Sequence, residues 1–257
     1  MERARLKEFL DKKVEEYNHP SFIKLDPVSI PRSFKKKQDI EISGLFAAVF
    51  SWGSRTTIIN KSRELMQLMD NAPHEFILHH SNKELTKLSQ FKHRTFNTTD
   101  LLTFIAFLRF HYTKYNTLET AFCKWMNPGD ETVEQGLNGF SNYFFSQYDT
   151  PGRTGKHIAS PQKNSSCKRL NMYLRWMVRR DDKGVDFGTW KKISPSQLVC
   201  PVDLHVARVA RRFGLLMNPQ VNWKAAMELT DELRKMDKED PVKYDFALFS
   251  LGIIEHY

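Results

Sequence analysis

Apolar residues recur along this chain at three- and four-residue steps and show no sustained alternation, a period that predicts helices and argues against strands. The first amphipathic stretch covers residues 3–17. Pro20, Pro27 and Pro31 follow it; lacking backbone N–H groups they cannot continue a helix, so an extended connector is expected. From Asp39 the helical spacing returns with Ile40, Ile42, Leu45, Phe46, Val49 and Phe50, until Ser51-Trp52-Gly53 breaks it. Ile58, Ile59, Leu65, Met66 and Met69 mark the next helix, in a region that Pro73 ends.

Asn97-Thr98-Thr99-Asp100 supplies N-cap residues for the apolar run LLTFIAFLRFHYTKY. Thr117 and Glu119 start another helix through Met126, and Asn127-Pro128-Gly129-Asp130 reads as a turn. A helix carrying Val133, Leu137, Phe140, Phe144 and Phe145 comes next, then a loop over 149–163. Helices are expected at 165–179, from Asp203 to Phe213 with Gly214 as the stop, at 222–236 and at 241–254. The fold class is all-α, with roughly nine or ten helices. At 257 residues the chain can build one two-lobed domain. The division expected has lobe A at about 1–45 plus 200–257, lobe B at about 46–180 and a connecting loop at 181–199.

Composition narrows the function. Hydrophobic residues at 40% and aromatics at 12% describe a globular chain and exclude a disordered one. Cys123, Cys167 and Cys200 lack C-x-x-C spacing, which points to a reducing compartment and excludes an all-cysteine four-ligand zinc or iron–sulfur site within the chain. The nine histidines contain no H-E-x-x-H, so no metal site is expected. No apolar run approaches the roughly 20 residues of a membrane span. The charged N-terminal stretch lacks the apolar core of a signal peptide, and the expectation is a cytoplasmic monomer with no membrane role.

Charge is the more specific signal. The net charge is +9, and between Pro151 and Arg180 stand eight basic residues with no Asp or Glu. They are Arg153, Lys156, Lys163, Lys168, Arg169, Arg175, Arg179 and Arg180. Like charges repel, so a solvated face usually mixes signs; a one-sign block around a helix start suits phosphate binding. On the helix at 165–179, Leu170, Leu174 and Met177 form the apolar stripe, while Lys168, Asn171, Arg175 and Arg179 share another face. Lys168 thus sits in the first turn, where the helix dipole repels a cation. That placement suits an amine required to lose its proton and act as a nucleophile, helped by repulsion from Arg169 and Arg175. The plain alternative is a solvated lysine touching phosphate.

The second segment is Cys200-Pro201-Val202-Asp203-Leu204-His205-Val206. Asp203 is placed to cap its helix, and hydrogen bonds from the helix N-terminus favour its charged form. Val206, Ala207, Ala210 and Phe213 face the core; His205, Arg208 and Arg212 share an outward face, where they either hold phosphates or solvate the surface.

PVDLHVARVARRFGL resembles the segment P-V-D-T-H-V…R-V…R-L-G-L of the helix-hairpin-helix DNA glycosylases, in which the Asp is catalytic. CKRLNMYL resembles their second hairpin helix, where a K-T-A-N-like run carries the Schiff-base lysine of the bifunctional members. LFAAVFSWGSRTTIINKSRELM is similar to the early helix-turn-helix of endonuclease III-like enzymes, and the three segments come in the family's order. A bacterial family of unknown function within this superfamily looks most similar. The chain also departs from the pattern. The hairpin Leu-Pro-Gly-x-Gly would fall on Gln162, Lys163, Asn164, Ser165 and Ser166, of which Asn164 tolerates left-handed backbone and Ser166 does so poorly. Asp203 lies 35 residues after Lys168, a spacing that resembles the archaeal 8-oxoguanine glycosylases. Gly53 stands where a helix-probing glutamine often sits, which leaves Trp52 or Arg55 to plug a vacated stack.

The resemblance implies an all-α, two-lobed glycosylase fold and a DNA partner. It implies excision of a damaged base by Lys168 and Asp203, with abasic-lyase activity and no cofactor. Arg153, Lys156, Lys163, Asn164, Ser165, Ser166, Arg169, Arg175, His205 and Arg208 would hold the backbone. A nucleotide flipped into a cleft between lobes would meet Trp52, Trp190, Phe246 and Phe249. The rivals are a nucleic-acid-binding protein on the same fold that does not cut, and a protein-interaction scaffold.

Overall fold

The computed structural model describes residues 2–146, 151–255 and 257. Helices α1 (Arg3–Tyr17), α2 (Pro20–Ile23), α3 (Lys37–Phe50), α4 (Arg55–Leu68), α5 (Pro73–His79), α6 (Asn82–Lys87) and α7 (Thr98–Tyr112) make up the first part of the chain. Then follow α8 (Glu119–Cys123), α9 (Glu134–Phe145), α10 (Lys168–Val178), α11 (Leu204–Arg212), α12 (Trp223–Arg234) and α13 (Tyr244–Ile253). Among the described residues there is no strand, only isolated bridges joining His93 to Phe96 and Ser165 to Asn222. The fold is all-α, and no helix among the described residues is long and apolar enough to cross a membrane.

Several helices begin where a side chain takes up an unbonded N–H group of the first turn. Asn97 accepts from the Asp100 amide while Asp100 accepts from that of Asn97, a reciprocal cap for α7. Asn222 caps α12 and Asp203 caps α11. The expected helix ending at Pro73 is a correction. Pro73 opens α5, where its missing N–H costs nothing, and the Asp39 carboxylate accepts from the His74 amide. Helix α6 follows with its own Ser81–Glu84 capping box. Both are too short for an apolar period to register.

The chain divides into two compact units. The first comprises Met1–Lys24, Met126–Leu137 and Ser160–Tyr257; the second comprises Leu25–Trp125 and Asn138–Ala159. This differs from the expected lobes: residues 25–45 go with 46–125, and 160–180 go with 200–257. The physical reason is local. Helix α3 runs unbroken through position 45, and the buried face of α10 is partnered by carboxylates from residues 181–245. Residues 181–199 are more than a connection. The Phe187 and Trp190 amides donate to the carbonyls of Trp176 and Met177, closing the C-terminal end of α10.

In the first unit, α1 and α11 pack on α13. Leu6, Leu10 and Val14 recur every four residues on the buried side of α1. Helix α13 is enclosed on nearly all sides, which explains its uniformly apolar run of Phe246, Ala247, Leu248 and Leu251. Gly252 lets α13 approach α11, since a Cβ there would press on the His205 backbone. In the second unit, α3 is buried from Asp39 to Phe50. An aromatic core of Phe46, Phe50, Phe91, Phe96, Phe104, Phe107, Phe140 and Phe144 fills the space around it. The fully buried Glu41 accepts from the Tyr112 hydroxyl, the Thr117 hydroxyl and the Leu118 amide, so the carboxyl group in that core is hydrogen-bonded on both oxygens.

Candidate functional site

The loop before α10 sets the site. After a single turn at Pro161–Lys163, Asn164 takes left-handed backbone at φ 52°. A second left-handed residue, Cys167 at φ 51°, is the N-cap of α10 and not Ser166. Two such turns in four residues reverse the chain without glycine, and Asn171 fixes the result by donating from Nδ2 to the Ser166 carbonyl. The Ser166 hydroxyl donates to the carbonyl of Val202, the residue preceding Asp203, at 3.1 Å. That bond ties the head of α10 to the head of α11.

Lys168 and Asp203 therefore meet. Asp203 accepts the His205 and Val206 amides through Oδ1, at 2.9 and 3.0 Å, which commits one oxygen to capping. The other, Oδ2, lies 3.6 Å from Lys168 Nζ. The two side chains are 23% and 25% exposed, sheltered yet open to a ligand. An amine and a carboxylate at this separation can act on one reacting centre, the first as nucleophile and the second as a fixed negative charge beside a developing cation.

Residues 26–254 match the family described as a protein of unknown function, DUF2400. The chain belongs to the DUF2400 family. No curated protein and no solved structure matches it.

Beneath the Lys168–Asp203 pair this DUF2400 protein holds a buried charge network invisible in the order of its residues. Arg175 Nη1 donates to Asp245 at 2.5 Å, and its Nε lies 3.3 Å from Asp186. Arg179 pairs with Asp186, Asp181 and Asp240. Burial pushes the Asp245 carboxyl up to about 6, against the pull of Arg175 and Lys168, with the Asp203 charge adding to the rise. Asp245 thus feels both members of the pair. The available signal was an aspartate inside an otherwise apolar helix, Tyr-Asp-Phe-Ala-Leu-Phe. The Cys200 thiol, also fully buried, is pushed far up by the same desolvation.

The expected phosphate contacts separate into groups. Lys163 and Asn164 are exposed at the loop tip, Ser165, Ser166 and Arg169 are half-buried, and His205 is exposed on α11. Desolvation draws the Arg169 guanidinium down from its usual range. Arg175 is corrected: it is 4% exposed and serves the buried network, so it offers nothing to a phosphate. Arg208 is engaged as well, donating to the carbonyls of Gly252, in the last turn of α13, and of Tyr257. Arg153 and Lys156 belong to the second unit. There Arg153 binds Asp100 at 2.6 Å, as well as Asn97 and the Thr95 carbonyl, while Lys156 is exposed.

The aromatic candidates for a base pocket also need correction. Trp190 is 1% exposed and packs edge-on against Tyr173; Phe246 is fully buried, with the Arg175 guanidinium 4.3 Å above its ring. Both are core. Phe249 is half-buried beside Phe22. Trp52 lies in the second unit, half-buried under the Arg94 guanidinium at 4.2 Å.

Proposed function

We propose that this protein is a DNA N-glycosylase with abasic-lyase activity, acting through Lys168 and Asp203. The observation that carries the reading is the 3.6 Å approach of Lys168 Nζ to Asp203 Oδ2, each at the head of its own helix and each about a quarter exposed. The substrate is a damaged nucleotide turned out of its stack. The Asp203 side chain faces the positive charge that develops on the sugar as the bond from C1′ to the base breaks and the base leaves with the bonding pair, taking a proton. Lys168, as the free amine, forms the new bond to C1′. Opening of the ring gives an iminium, loss of a C2′ proton expels the 3′ phosphate, and water releases the amine. Lys163, Asn164 and His205, exposed near the two helix heads, are the groups placed to hold backbone phosphates.

Borohydride trapping on duplexes containing an abasic site, uracil or 8-oxoguanine tests the assignment. Wild type should give a covalent adduct that Lys168→Gln does not. Asp203→Asn, which retains a capping oxygen, should slow base release by about a hundredfold or more without unfolding the protein. Identical trapping by wild type and Lys168→Gln would remove the Schiff base. Tight binding with neither an adduct nor base release would leave a nucleic-acid-binding protein that does not cut.

A further inference from the structure

A second cationic cluster lies in the other unit, far along the sequence from Lys168. Lys124, at the end of α8, places Nζ 3.3 Å from the ring centre of Tyr143, 4.7 Å from that of Trp125 and 5.4 Å from that of Tyr115. Lys114, at the end of α7, lies 3.9 Å over Phe110. Both lysines are exposed, and neither has a carboxylate within ion-pair distance among the described residues. Burial and the Lys114 charge together draw the Lys124 amine below the usual lysine range. The two lysines are linked through ring faces, Phe110 lying 6.0 Å from Tyr143, and among the described residues neither is paired with a carboxylate, an arrangement that an anion complements.

The neighbouring Trp125 narrows the partner. It is 42% exposed, among the few large apolar side chains so placed. Its indole Nε1 donates to the Ala121 carbonyl, and its ring lies against Gly139, where a Cβ would overlap it. The indole is therefore rigid before any ligand arrives and loses little freedom on stacking. A cation pair beside a fixed, exposed aromatic is the pairing used for flexible strands, whose bases offer a π-face while their phosphates follow the charge.

We propose that the face formed by Lys114, Lys124 and Trp125 binds single-stranded nucleic acid, with a base against the Trp125 indole and phosphates at the two lysines. This stands whether or not Lys168 and Asp203 perform chemistry. The test uses the full chain and a labelled oligothymidine strand, followed by anisotropy at two salt concentrations and by tryptophan fluorescence. Strand binding should quench a tryptophan signal that is lost in Trp125→Phe. Trp125→Ala and Lys114→Glu should each weaken binding roughly tenfold, with a shallower salt dependence for Lys114→Glu alone. Lys114 is exposed, whereas Trp125 also packs on Gly139, so circular dichroism of each variant is what shows that the fold is intact. Wild-type affinity in Trp125→Ala, or polyglutamate competing as well as the strand, would overturn the proposal, the latter in favour of an acidic protein partner.

Discussion

Replacing Asp245 by asparagine isolates a single buried titration. The side chain is 7% exposed, and burial lifts its carboxyl from 3.8 to about 6 although Arg175 and Lys168 pull downward. Between those values the folded protein holds a proton that the unfolded chain has lost, so stability falls as pH rises through the window. The favourable contribution is complete below about 3.8 and gone above about 6. At 1.36 kcal/mol per unit, a rise of this size corresponds to about 3 kcal/mol. Every other titratable group is common to the two proteins, so the difference between their unfolding free energies reports Asp245. Urea unfolding followed by tryptophan fluorescence from about pH 4 to 7 should show Asp245→Asn gaining about 3 kcal/mol on wild type as pH rises. A difference that stays flat, or moves the other way, would mean that the Arg175 ion pair outweighs burial and keeps Asp245 ionised throughout.

Asp203 both caps α11 and faces Lys168, and two substitutions separate these roles: Asp203→Ala should cost about 1–2 kcal/mol of stability by urea titration, Asp203→Asn a few tenths. Arg153→Ala should lower stability by about 1–2 kcal/mol, since it strips a charged hydrogen bond from the buried Asp100, and leave DNA affinity within about twofold; a loss of affinity at unchanged stability would restore Arg153 to the DNA-contacting set. Burial raises the Cys167 thiol to about 12 and pushes the Cys200 thiol up as well, so titration of the native protein with a thiol reagent should reach Cys123 alone, whereas rapid reaction of all three cysteines would contradict the packing.

The helices and their heads were legible in the order of residues because both signals are local. An apolar residue every three or four positions and a capping side chain before the first turn act within one stretch of chain, and they place α1, α7, α11 and α12. The same locality put Lys168 and Asp203 each in or just before a first turn. Their meeting at 3.6 Å depends on the Ser166–Val202 hydrogen bond and on left-handed backbone at a cysteine, neither of which a pattern of residue types announces.

Charge shows the limit most clearly. Residues 151–180 carry eight cations and no acid, and as a string they look like one phosphate-binding surface. In space Arg153 meets Asp100, Arg175 meets Asp186 and Asp245, and Arg179 meets Asp181, Asp186 and Asp240. Electrostatic energy depends on distance through space and on solvent exposure, and sequence separation fixes neither. Helix formation and capping were decided by residues within a few positions of one another; which arginines remain available to a ligand was decided by carboxylates up to 70 positions away along the chain.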